Sequence, residues 1–198
     1  MSKGVQGVGF NSGGSYRVME SPNVKTKAYS VWKDMLRRGY SESYKKKRPT
    51  YKDVTVCEEW LDYQKFAEWF YTNYKEGFQL DKDIVSRGNK VYCPEFCRFI
   101  PQDLNSLLVN RTGGSRNYDL PLGVSYRKDS GKYVAWCNNG EGITINLGSK
   151  ETPEEAFILY KEYKESIIKR KATEYYGKGI IDSDTYNSLM EYEVNESG

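Results

Sequence analysis

Three short alternating segments, LGVSYRK, KYVAWCNN and ITINLG, are separated by the turn signals DSG and NGEG and lead into TPEEAFILYKEYKESIIKRK. No other feature constrains the fold as tightly. Such a run of strands makes a small antiparallel sheet, and one helix is enough to cover one of its faces. The helix start is complete: Thr152 is the N-cap, Pro153 takes the first helical position and Glu155 closes a capping box. Ala156, Leu159, Tyr160, Tyr163 and Ile167 form its inner stripe, and SDTYNSLMEYEV makes a last short helix. Alternation sends Val124, Tyr126, Tyr133, Ala135, Cys137, Ile145 and Leu147 to the helix side. Ser125, Arg127, Val134, Trp136, Asn138, Thr144 and Asn146 go to the other. That second face is neither a core nor an idle charged surface, and Arg and Asn are the side chains that pair bidentately with guanine and adenine.

Upstream, RTGGSRNYDL has paired glycines and no periodicity, and reads as a linker over 111–119. It divides the 198 residues into a flexible arm over 1–25, a domain over 26–110 and a second domain over 120–198. In the first domain Val31, Trp32, Met35 and Leu36 make one helical stripe. SESYKKKRPTYKD follows as a basic loop closed by Pro49. VTVCEEWLDYQKFAEWFYTNY is then a strand start and a strong amphipathic helix stopped by Gly77. Its tryptophans read as core. FQLDKDIV and KVY are short strands around the turn SRGN, and CPEFCRFIPQDLNSLLVNR is helical in part, beginning at Pro94.

Composition narrows the chemistry. Tyrosine dominates the aromatics, 18 against 7 Phe and 4 Trp, which suits polar interfaces and small cores. The net charge of +3 is mild, but Lys45, Lys46, Lys47 and Arg48 stand together and read as a phosphate clamp. Cys57, Cys93, Cys97 and Cys137 form no C-x-x-C pair, and the chain has no histidine, so zinc is not expected and the thiols read as buried and reduced. No apolar run reaches the ~18 residues of a membrane span. A cytoplasmic protein without a membrane partner is expected.

The second domain resembles the Apetala-type, ethylene-response-factor DNA-binding domain over Leu122 to Lys164. The residues that carry it are G-V-x-Y-R-K, G-K-Y-x-A and L-G-x-x-x-T-P-E-E-A-x-x-x-Y. The resemblance implies duplex DNA as partner and Ser125, Arg127, Trp136, Asn138, Thr144 and Asn146 as contacts. Segment 32–105 resembles the HNH-like proteins that phages carry joined to such domains. Here the carriers are W-K-D-M-L-R-R, P-T-Y-K-D, V-C-E-E-W, L-D-K-D-I and G-N-K-V-Y-C-P-E-x-C-x-F, with the later Asn105.

In that family a histidine activates water beside a divalent metal. Asp81 stands at the histidine position, and Phe96 stands where P-E-N would place asparagine. What remains is a candidate site of Asp81, Lys82, Asp83 and Asn105, with Asp81 and Asp83 two apart on a strand as magnesium ligands. The expectation is an α+β protein, an HNH-like ββα element with flanking helices followed by the three-stranded sheet and helix. In an infected bacterial host it would bind duplex DNA and cut weakly or not at all. Two alternatives stay open: an active Mg-dependent endonuclease, and a non-catalytic regulatory or counter-defence protein that binds nucleic acid or a host protein.

Overall fold

The computed structural model describes residues 4–108 and 120–196, and the chain divides into two compact units, 1–100 and 101–198. The fold is α+β. The expected linker over 111–119 lies outside the described residues. The division falls earlier than expected, at Ile100/Pro101.

The N-terminal unit opens on a segment that is tied down, where a loose arm was expected. Phe10 N donates to Leu61 O and Tyr63 N donates to Phe10 O, both at 2.9 Å. Gln64 holds Tyr16 from both sides, accepting from its N–H at 3.1 Å and donating to its carbonyl at 3.0 Å. Gly9 lies so close to Trp32 and Leu36 that no side chain fits between. Gly9 serves close packing, because only a residue without Cβ lets the backbone lie on the core, while Gly7 and Gly13, at φ +80° and +81°, serve turns.

Strands β1 (Met19–Ser21) and β2 (Val24–Lys25) form a hairpin. Helix α1 (Lys27–Tyr40) follows, capped by Thr26, whose Oγ1 accepts from Tyr29 N. Helix α2 (Glu42–Lys47) occupies the stretch read as a basic loop. Ser41 caps it, Glu42 favours its positive end and Lys45 to Lys47 favour its negative end. Pro49 then opens a 3-10 turn. The short strand β3 (Thr55–Val56) precedes α3 (Tyr63–Asn73). Trp32, Trp60, Tyr63, Phe66 and Phe70 are buried together, and Trp69 stacks on Phe99 at 5.3 Å. The tryptophans are core, as their spacing predicts.

Strands β4 (Phe78–Asp81) and β5 (Val91–Tyr92) do not pair with each other. β5 runs parallel to β3, with Val56 opposite Tyr92, and β4 pairs with β6 (Arg98–Pro101). The segment expected to turn helical at Pro94 is a turn and then β6; helix α4 (Gln102–Leu108) starts only afterwards. A strand–loop–strand–helix order survives with different members, β4, β6 and α4. Pro94 sits in the turn after β5, where a missing N–H costs nothing, so its presence does not mark a helix start.

In the C-terminal unit, Asp103 on α4 accepts from Lys171 Nζ (2.5 Å) and Tyr175 OH (2.6 Å). Both partners lie on helix α5 (Pro153–Gly177), which covers the sheet and is followed by α6 (Ser183–Met190). Thr152 caps α5 through Glu155 N at 3.2 Å. The sheet order is β7–β8–β9, from β7 (Val124–Arg127), β8 (Lys132–Asn138) and β9 (Thr144–Lys150). Ala135, Cys137, Ala156, Phe157 and Tyr160 are buried between sheet and helix.

Candidate functional site

Two places were singled out by sequence, the open sheet face and the segment around Asp81 and Asp83. On the sheet, the pairs Tyr126↔Tyr133, Ser125↔Val134 and Trp136↔Asn146 confirm the two faces that alternation assigns. A bulge between Ala135 and Trp136 leaves Leu147 unopposed without changing those assignments. Arg127, Trp136, Thr144 and Asn146 are exposed, Trp136 at 38%, while Val134 is the buried member of that face. Trp136 Nε1 donates to Ser125 Oγ at 3.0 Å, which ties the indole to the neighbouring strand. Arg127 pairs with Asp129 at 3.1 Å in an exposed contact that contributes little.

Tyr126 points to the helix side, yet it is 48% exposed and leans on Tyr133, ring centroids 5.1 Å apart. The helix does not cover that end of the sheet. Tyr126→Ala should therefore cost about 1–2 kcal/mol, short of the ~3–5 kcal/mol of a full core truncation. Thermal melts of the variant check this; a loss at the larger figure would place Tyr126 in the core.

The second place is the loop after β4. The strand ends at Asp81, so Asp81 and Asp83 do not sit two apart on a strand as expected. Asp81 Oδ1 accepts from Asp83 N (2.9 Å) and Ile84 N (2.8 Å), closing a turn. Burial, with the like charge of Asp83 close by, pushes the Asp81 carboxyl up to about 6. Lys82 is only 8% exposed, and its Nζ donates to Asp83 Oδ2 (3.0 Å) and Asn89 O (2.8 Å). Asn89 completes the loop, donating to Lys82 O (2.6 Å) and Val91 O (2.7 Å). Asn105, the fourth candidate, lies on α4 in the other unit.

Sequence reasoning missed Arg38, Tyr51 and Tyr92. Arg38 binds Asp34 at 2.7 Å and reaches Tyr92 OH at 3.4 Å, and its Nε is buried with no hydrogen-bond partner. Burial pushes the Tyr51 hydroxyl up, Arg38 pulls it back, and Asp83 and Asp81 add to the rise. Tyr51 is therefore the member of this group that feels the two aspartates. The only local signal was the i, i+4 pair of Asp34 and Arg38; the rest comes together across elements.

Among the described residues no group of three or more His, Cys, Asp or Glu side chains converges to hold a metal ion. Two carboxylates with water still match how magnesium binds, since it keeps several waters. All four cysteines are free thiols, and burial pushes Cys93 up to about 11. Of the basic run, Lys45 is tied by its Nζ to Val54 O at 3.3 Å, while Lys46, Lys47 and Arg48 are exposed. Among the described residues no helix is long and apolar enough to cross a membrane.

No protein-family model, curated protein or solved structure matches this chain.

Proposed function

We propose that the chain is a duplex-DNA-binding protein, related to the HNH-like phage proteins, whose metal-dependent cutting is weak or absent. The observation that carries the reading is the open sheet face, where an exposed indole lies among small polar side chains and one arginine. An aromatic ring left out of the core beside hydrogen-bonding groups is suited to a polar, wet interface. The motif resemblance over Leu122 to Lys164 adds independent support. Weak cutting follows from the loop after β4: the chain has no histidine to activate water, and one oxygen of Asp81 is committed to two backbone N–H groups.

A second reading, an Mg-dependent endonuclease, is favoured by one observation. Asp83 lies close enough to help raise the Asp81 carboxyl, and a divalent cation between the two would relieve that repulsion. The experiment is a gel-shift titration on duplex DNA beside a supercoiled-plasmid assay with magnesium or manganese. Salt-sensitive binding with intact plasmid is expected. Nicked circles that disappear in the Asp81→Asn, Asp83→Asn variant would establish the second reading. Absence of any binding would end the first.

The basic run gives a quantitative check. Each phosphate neutralised contributes a slope of roughly −0.9 in log K against log salt. Lys46→Ala, Lys47→Ala and Arg48→Ala together should flatten that slope by up to about three units. Lys45→Ala should change it little, since Lys45 already serves Val54. An unchanged slope in the triple variant would remove the clamp.

A further inference from the structure

One end of the sheet collects its charge. Arg127, the last residue of β7, stands opposite Lys132, the first of β8, and both belong to the open face that carries Trp136. Lys132 is absent from the contacts that the family resemblance implies. Two cations facing each other across a strand pair repel. Each is balanced by an acid from the sheet margin. Asp129, in the β7–β8 turn, lies 3.1 Å from Arg127, and Glu151, next after β9, lies 2.6 Å from Lys132. All four side chains are exposed, so these are surface pairs that hold weakly. The other end of the sheet differs, since NNGEGITINLG over 138–148 holds one charged residue, Glu141.

A cation already matched by a carboxylate brings no net charge to a polyanion, and counterion release on the duplex scales with the charge the protein delivers. We infer that the duplex meets the sheet at this end, through Lys132 as well as Arg127, and that Asp129 and Glu151 compete with it for the two cations. A base edge or a phosphate can each take the carboxylate's place. The inference rests on the duplex-binding reading and adds to it one contact and a restraint on affinity.

The test removes the acids and the cation separately. Asp129→Asn with Glu151→Gln keeps the side-chain shapes and deletes both negative charges. In the full chain at low salt, affinity for a mixed-sequence duplex should rise about tenfold, and the slope of log K against log salt should steepen by up to about two units. Lys132→Ala should weaken binding and flatten the slope by about one unit. Lys150→Ala is the control: its register partner Tyr133 places it on the helix side, so its loss should be smaller. Thermal melts of all three should match the wild type, and a variant that fails to fold leaves the other to decide. If the wild type binds duplex but either folded test variant leaves affinity and slope unchanged, the inference falls and the reading stands. Equal losses in Lys132→Ala and Lys150→Ala also overturn it, because they mark a bulk charge effect. Failure of the wild type to bind any duplex ends both.

Discussion

Gly123→Ala is expected to destabilise the C-terminal unit by on the order of 3 kcal/mol. Gly123 has φ +73°, a conformation that costs a residue with a Cβ about 1–2 kcal/mol. A Cβ there would also lie 2.6 Å from Tyr160 Cε2 and Cγ, inside contact distance of a buried ring on α5. Either the ring swings out of the core or β7 lifts off the helix. The second outcome also breaks the bond from Trp136 N to Gly123 O, 2.7 Å long, and with it the seat of the exposed indole. Thermal or urea melts of the full chain read the effect, and DNA binding should fall in step with the folded fraction. A variant that melts like the wild type would mean the β7–α5 contact is not what holds the sheet.

Asp81→Asn is expected to move stability the other way. The carboxyl is raised from 3.8 to about 6 by burial first and then by Asp83. A group whose folded value lies above its unfolded value contributes stability that is full below the unfolded value and is lost as pH rises through the folded one. The wild type therefore loses that contribution between about pH 4 and pH 6. Asparagine carries no charge at any pH and still offers the oxygen that Asp83 N and Ile84 N require. At neutral pH the variant should be more stable by up to about 3 kcal/mol, and the difference should shrink to nothing below about pH 4. Asp83→Asn should act oppositely, because the buried Lys82 ammonium would lose its charged partner and keep neutral acceptors. A pH series of melts on the three proteins checks both signs. If Asp81→Asn destabilises at pH 7, the carboxylate is held by a partner worth more than its burial costs. Magnesium added to the same melts asks whether the wild type retains its charged pair for a cation.

The C-terminal unit was legible in the sequence down to its faces. Thr152 accepts from Glu155 N and Pro153 takes the first helical position, both within one helical turn, and period-2 alternation in VSYR and KYVAWCN depends only on the pleat. These are local rules, and the structure keeps them. Even there Tyr126 shows the limit: alternation gives the side of the sheet, but how far a helix reaches along it is a matter of packing.

The N-terminal unit was legible in its helices and core and not in its strands. Segments of two to four residues have no register of their own, so whether β5 joins β4 or β3 is settled by which pairing buries Val56 and Tyr92. The same holds for the glycine-rich start, whose meaning depends on Trp32 and Leu36 lying beneath it. Residue types alone marked Asp81, Asp83, Asn138 and Asn146 as chemically capable. Only the tertiary structure showed that most of their oxygens already serve backbone N–H groups or a neighbouring lysine, because a hydrogen-bonding atom is spent by its partners and partners are chosen in three dimensions.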